Sequence, residues 1–356
     1  MGLPGRWRLS DHSLRIVVVG PPWFEIPPPA YGGIEWLCYW LVEGLITRGH
    51  DVTLIAAGRN HTQAKFIRTY DKAPSLRLGE PLPELIHAAR AARALDQLEL
   101  DVIHDHSFAG PLSAGARAIP TVVTAHGPPQ GELGDYYRSL HPNVSLVAIS
   151  EAQRRNAPDV PWVATVHNAI PVEEYPFRTD KDEFVLFLGR MSTEKGPHLA
   201  IDAAREAGWP LVLAGKCNEP REHDYFEREI QPRLGPDVDW IGQADAPTKK
   251  DLLARARCLL FPIQWEEPFG IVMAEAMACG TPVVALRGGS VPEVVEHEVT
   301  GFICDAPSGL PEAIKRAELI DPSGCRDRAR LHFDVAAMVL RYESVYRRVT
   351  SIGNPG

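Results

Sequence analysis

No C-x-x-C pair occurs among the six cysteines, Cys38, Cys217, Cys258, Cys279, Cys304 and Cys325. Scattered, and several of them set in apolar runs, they read as reduced, mostly buried thiols and exclude a disulfide framework. No apolar stretch is long enough to span a bilayer, and the opening MGLPGRWRLSDHS lacks the apolar centre of a secretory signal. A cytoplasmic protein is the expectation. No block of lysine and arginine relieves a formal net charge of −9, so no nucleic-acid partner is expected, because counterion release needs clustered cations. No G-x-G-x-x-G follows either opening strand, which disfavours a nicotinamide cofactor. Repeats and low-complexity tracts are absent as well.

What remains is a chain of 356 residues, 45% hydrophobic and 23% charged, long for a single core and rich enough in apolar matter for two. Short β-branched runs alternate with segments of helical period, the pattern of parallel sheets wrapped by helices, so the fold class is α/β. Residues 14–20, 51–57, 101–104, 120–124, 145–149 and 162–166 read as strands of a first half. A second series follows at 184–188, 210–214, 238–241, 258–261 and 282–286. Between the halves, IPVEEYPFRTDKDE has the prolines and charges of an interdomain linker, which sets domains of 1–174 and 175–334. The closing segment places Val335, Met338, Val339, Tyr342, Val345 and Tyr346 on one helical face.

Four segments carry candidate chemistry. In LLFPIQWEEPFGIVMAEAMACGTPVVAL a buried strand ends at Phe261, Glu266 and Glu267 occupy a short loop, and Phe269 to Cys279 reads as a helix stopped by Gly280. Glu267 at its mouth and Glu275 further inside would be separated by about 12 Å of rise if the stretch were helical, enough to hold the two ends of a nucleotide sugar. The N–H groups of Phe269, Gly270 and Ile271 would face an anion or hydroxyl oxygens at that helix start. In FLGRMSTEKG, Arg190 and Lys195 sit at the carboxyl end of a strand, the ligand edge of an α/β sheet, where two cations suit a leaving diphosphate. In AYGGIEWL, Gly32 and Gly33 precede a helix and would let backbone approach a phosphate. The plain alternatives are solvated loop acids, surface cations and an ordinary turn.

The fourth group is histidine-rich: His104 and His106, then His126, at strand ends expected to face a cleft. A metal site from His104, Asp105, His106 and His126 has suitable ligand types, but alternate strand residues point oppositely, and a hydrogen-bonding anchor is the preferred role for His104. Residues 85–98 read as a helix in which Arg90 and Arg93 flank apolar positions. Docking on a membrane surface and packing on the first sheet both fit it, and packing is favoured.

These segments together resemble family 4 of the retaining glycosyltransferases, on YGGIE at 31–35, HNAIP at 167–171, GRMSTEKG at 189–196, EPFGIVMAEAMACGTPVVA at 267–285 and GGSVPEVVEHEVTGF at 288–302. The resemblance covers nearly the whole chain. It implies the GT-B fold, two Rossmann-like domains with parallel sheets facing across a cleft, and a last helix at about 335–350 that crosses back onto the first domain. It also implies transfer of a sugar from a nucleotide-diphosphate donor to an acceptor hydroxyl, with an α-linked product and no metal or other cofactor. UDP-glucose is the first expected donor, with GDP-mannose and UDP-N-acetylglucosamine behind it. The acceptor, the linkage and the oligomeric state are not indicated.

By the same resemblance Arg190 and Lys195 bind the donor diphosphate, and Gly33, beside Gly32, belongs to the loop opposite. Glu267, with the backbone at Phe269, Gly270 and Ile271, contacts the transferred sugar. Glu275 holds the ribose, and His126 lies near the reaction centre. Two segments depart from the family pattern: AGKCNEP at 214–220, where a glycine-rich turn is common, and the long proline-rich stretch before Tyr31. An epimerase or hydrolase of the same fold, and a noncatalytic nucleotide-sugar-binding protein, are the competing readings.

Overall fold

The computed structural model describes residues 13–29 and 32–352, so most of the opening MGLPGRWRLSDHS, and Tyr31 of the YGGIE segment, lie outside the described residues. The first unit contains β1 (Arg15–Val19), α1 (Gly33–Thr47), β2 (Asp51–Ala56), β3 (Lys65–Arg68), α2 (Pro81–Leu95) and β4 (Val102–Asp105). It continues with β5 (Thr121–Ala125), α3 (Gly131–Ser139), β6 (Val144–Ala148), α4 (Glu151–Arg155) and β7 (Trp162–Thr165). The second opens with β8 (Val185–Leu188), α5 (Pro197–Ala207), β9 (Leu211–Ala214), α6 (Pro220–Tyr225), β10 (Val238–Trp240), α7 (Ala246–Arg255) and β11 (Leu259–Phe261). It closes with α8 (Ile271–Ala278), β12 (Val283–Leu286), α9 (Val291–Val294), β13 (Gly301–Cys304), α10 (Leu310–Arg316) and α11 (Pro322–Phe333), after which α12 (Val335–Ile352) ends the description.

Both sheets are parallel, with orders β3-β2-β1-β4-β5-β6-β7 and β10-β9-β8-β11-β12-β13. Each is therefore a doubly wound, Rossmann-like sheet whose central strands are covered on both faces. This is why β1 reads RIVVV, with four of its five residues buried, rather than alternating polar and apolar. Two strands were absent from the sequence reading: β3, an edge strand of mixed exposure, and β13, the short GFIC edge of the second sheet. The helix expected at 85–98 runs over Pro81–Leu95, starting earlier because Pro81 is tolerated in a first turn. Its Ala91 and Leu95 pack under the first sheet against Val17, Val19 and Ile103, while Leu82 and Leu85 stay exposed.

The chain crosses between the units twice, and the crossings pair with each other. Ile170 N–H donates to the Phe333 carbonyl at 2.9 Å, Val335 N–H returns to the Ile170 carbonyl at 3.2 Å, and the Asp334 carboxylate accepts from Val172 N–H at 3.1 Å. After the second crossing α12 lies on the first unit. Its Met338, Val339, Tyr342 and Tyr346 are buried in one cluster with Leu37, Leu41 and Leu45 of α1, and Glu343 pairs with Arg48. Among the described residues no helix is long and apolar enough to cross a membrane, and the six cysteines are free.

Candidate active site

The second sheet supplies the charged cluster. Gly196, at φ 70°, ends the loop after β8 with its α-hydrogen face against the Pro262 carbonyl, where a Cβ would come within 2.2 Å. That close approach carries Lys195 to the end of β11, and its ammonium pairs directly with the Glu267 carboxylate, although the two are 72 residues apart. Trp265 completes the contact. Its indole N–H donates to the same carboxylate at 3.0 Å, and its ring lies 5.1 Å from the lysine nitrogen. Arg190 stands on the same loop, held by Glu194 at 3.0 Å and by Glu222 at 3.3 Å.

Glu267 is fixed from behind by the GGS turn of residues 288–290. Ser290 N–H donates to the Glu267 carbonyl at 3.0 Å, and Gly289 N–H to the Glu266 carboxylate at 2.9 Å. Gly289, at φ 45°, abuts the Glu267 backbone so closely that a Cβ would lie 2.2 Å from its carbonyl oxygen. The helix expected from Phe269 begins instead at Ile271, because Gly270 adopts the left-handed conformation, φ 68°, and serves as the N-cap. Glu267 is thus a loop residue, and the distance computed for a continuous helix does not apply. Among the described residues the N–H groups of Phe269, Gly270 and Ile271 have no protein acceptor, so they remain open to a ligand at the start of α8.

Glu275, one turn before the end of α8, is 5% exposed on an otherwise apolar helix. A carboxylate so placed needs partners, and the sequence reading did not identify them: Lys249 of α7 at 2.6 Å and the Tyr175 hydroxyl, which donates at 2.8 Å. Both reach one carboxylate oxygen. Tyr175 belongs to the interdomain crossing, so the buried acid of the second unit is tied to that crossing. Burial, with the negative charge of Glu275 beside it, pushes the Tyr175 hydroxyl far above the ordinary tyrosine range and keeps it a donor.

On the first unit, Gly32 is the N-cap of α1 at φ 148° and Gly33 its first residue. No hydrogen bond joins either glycine to Arg190, Lys195, Glu267 or Glu275 among the described residues. The histidines divide in two. His104 does not reach the cleft: it is fully buried under α12, with its ring nitrogens on the Tyr346 hydroxyl at 2.7 Å and the Thr124 hydroxyl at 2.8 Å. His106 and His126 lie beyond it, with Nδ1 of the first 2.9 Å from Nε2 of the second and their rings stacked. Burial lowers His126 to about 4, so at neutral pH its ring is uncharged. Asp105 turns the other way, onto the Ser107 N–H and hydroxyl at 2.8 and 2.7 Å. The four residues weighed as metal ligands do not converge, and no group of three or more His, Cys, Asp or Glu among the described residues is placed to hold a metal ion.

The two units also meet directly. Glu293 of α9 accepts from the N–H groups of Glu151 and Ala152 at the start of α4, at 2.7 and 2.5 Å, and lies 3.1 Å from His167 Nε2.

Comparison with known proteins agrees with this architecture. A model of Glycosyltransferase Family 4 matches residues 31–174, and one of Glycosyl transferases group 1 matches residues 173–327. An alpha-maltose-1-phosphate synthase of Mycolicibacterium smegmatis is 30% identical over 311 residues, covering 70% of this chain and 79% of its own length. A glycogen synthase of Mycobacterium tuberculosis is 28% identical over 377 residues, covering 89% of each chain. Among solved structures, Anabaena HepE in complex with UDP-glucose superposes with a TM-score of 0.69 at 18% identity, over 94% of this chain and 100% of that one. The fold is GT-B.

Proposed function

The chain belongs to glycosyltransferase family 4, and from that membership we propose that it moves a sugar from a nucleotide-diphosphate donor to an acceptor hydroxyl with retention of configuration. UDP-glucose is the donor to test first, since the HepE structure holds it on the same fold. The observation that carries the reading is the direct pairing of Lys195 with Glu267. Two segments remote in sequence deliver a cation for a departing diphosphate and an acid for sugar hydroxyls to one point at the carboxyl edge of one sheet.

In this reading Lys195 and Arg190 stabilise the leaving diphosphate and supply its counter-charge without a metal. That diphosphate takes the acceptor proton on the face it leaves, which preserves the α configuration. The free N–H groups at Phe269, Gly270 and Ile271 hold sugar hydroxyls beside Glu267, and Glu275 keeps its second oxygen for the ribose. Gly32 and Gly33 approach the phosphates from the opposite unit, and His126, uncharged, offers a hydrogen bond near the reaction centre. The free thiols favour a cytoplasmic site of action.

A melting-temperature screen of nucleotide sugars tests the donor, since a ligand that binds only the folded state raises the transition. Product analysis with the donor so found, over saccharide and lipid acceptors, tests transfer and its stereochemistry. Failure of every nucleotide sugar to raise the transition would defeat the reading, and a β-linked product would defeat its retaining part.

A further inference from the structure

The segment after β9 that departs from the family pattern, AGKCNEP, folds against the loop that carries Arg190. Gly189 N–H donates to the Ala214 carbonyl and Met191 N–H to the Lys216 carbonyl, each at 3.0 Å, so the two loops run on together past the end of the sheet. The segment then turns into α6 through a capping box between Glu219 and Glu222. One Glu222 oxygen accepts the N–H groups of Asn218 and Glu219 at 2.8 and 3.2 Å, and the other receives Arg190 Nη1 at 3.3 Å. The Glu222 side chain is 3% exposed. On the far side of the same guanidinium, Glu194 binds Nη2 with a carboxylate that is 37% exposed.

Two carboxylates therefore hold one arginine from different surroundings. Glu222 is held by two backbone N–H groups and cannot leave without stranding them. Burial alone would raise its pKa, but those N–H groups, with Arg190 and Lys216 nearby, outweigh burial and hold it below the usual carboxylate range. Glu194 is wet, and an exposed pair of this kind is exchanged at little cost.

Resting on the function proposed above, we propose that Glu222 is a positioning residue that aims Arg190 at the donor diphosphate, whereas Glu194 is the contact Arg190 gives up when the diphosphate arrives. The segment that departs from the family pattern then serves as the arginine's mount. The two carboxylates, though equal in charge, act with opposite sign: removing the mount spoils the aim, and removing the competitor frees the arginine.

Glu222→Gln and Glu194→Gln separate them, with Glu219→Gln as a control that removes a charge from the same capping box without touching Arg190. Glutamine at 222 still accepts the two N–H groups through its amide oxygen. Binding of UDP and GDP by calorimetry, and kcat and KM with UDP-glucose and GDP-mannose, are the readouts, with melting temperatures alongside. Glu222→Gln is expected to lower kcat about tenfold, the scale of a misaimed charge. Glu194→Gln should leave kcat within about twofold and lower the donor KM or nucleotide Kd by about two- to fivefold. Glu219→Gln should match the wild type in kcat. Equal effects of Glu222→Gln and Glu194→Gln, or a kcat loss in Glu219→Gln as large as in Glu222→Gln, would overturn the assignment while leaving the transferase reading intact. A wild type that binds neither nucleotide and turns over neither donor would overturn both.

Discussion

Replacing Lys195 with alanine should affect stability and turnover through different partners, and the double variant with Glu267→Gln separates the two effects. Both side chains are largely withdrawn from water, at 17% and 11% exposure. Removing one member of a fully buried pair costs about 3–5 kcal/mol, because the other charge is left without compensation. Here the pair keeps some exposure to water, and Trp265 still donates to Glu267 at 3.0 Å, so a loss of about 1–2 kcal/mol is expected for Lys195→Ala. Adding Glu267→Gln removes the stranded charge and should restore about 1 kcal/mol, a coupling that a double-mutant cycle in denaturant reads directly. Turnover should behave otherwise. Loss of a cation aimed at a leaving diphosphate costs roughly 3 kcal/mol in the barrier, about a hundredfold in kcat, and the second substitution should lower activity further because it removes the sugar's acid. Near-normal kcat in Lys195→Ala, or recovery of kcat together with stability in the double variant, would refute the reasoning.

Gly289→Ala should lower both melting temperature and turnover, since its Cβ would meet the Glu267 carbonyl at 2.2 Å from a backbone already at φ 45°; Gly288→Ala, with 3.2 Å to the Trp265 carbonyl, should be the milder of the two by both measures. Stability should fall as pH drops below about 6.5. Burial lowers His87 and His126 to about 4 and His104 to about 3, with His106 lowered too, so the unfolded chain takes up protons between those values that the folded one refuses. Each such group costs about 1.4 kcal/mol per pH unit within its window. Glu35 and Asp105, raised to about 7 by burial, act in the opposite sense as the pH falls from 7 towards 4 and offset about two of the four; urea melts at pH 7, 6 and 5 that show constant or rising stability on acidification would contradict this. Tyr175→Phe should weaken nucleotide binding several-fold by calorimetry and leave the fold intact, because Lys249 still holds Glu275; unchanged affinity would detach the hinge tyrosine from the donor site.

Much of this arrangement is legible in the sequence because it is local. Buried parallel strands announce themselves as apolar runs, and the loop after each strand carries its functional residues with it, so Arg190, Lys195 and Glu267 could be assigned to strand ends before any coordinates. What escaped was either weakly patterned or remote. Edge strand β3 buries too little to produce a continuous apolar run, and β13, though mostly buried, is only four residues long and opens on a glycine. The start of α8 was misplaced by two residues because a glycine that continues a helix and one that caps it in the left-handed region look alike in sequence. Glu222, Lys249, Tyr175 and Glu293 had no signal of their own, since each acquires its role from a partner at least 26 residues away in the chain.

These remote contacts share a location. Phe269, which opens the Glu267 loop towards α8, packs its ring on His167 and on Phe333, with centroids 5.9 and 5.8 Å apart, and those two residues flank the paired crossings between the units. His167 also faces Glu293, whose carboxylate is seated on the backbone of α4 in the other unit. Tyr175 joins the second acid to the same crossing. A rotation of one unit about the crossings would therefore disturb the Tyr175 contact to Glu275 and the packing of Phe269, two residues from Glu267, and in the proposed function a donor that fixes those acids would restrain the rotation. Coupling of this kind needs no signal relayed through the sheets, because the hinge and the site are built from adjoining residues.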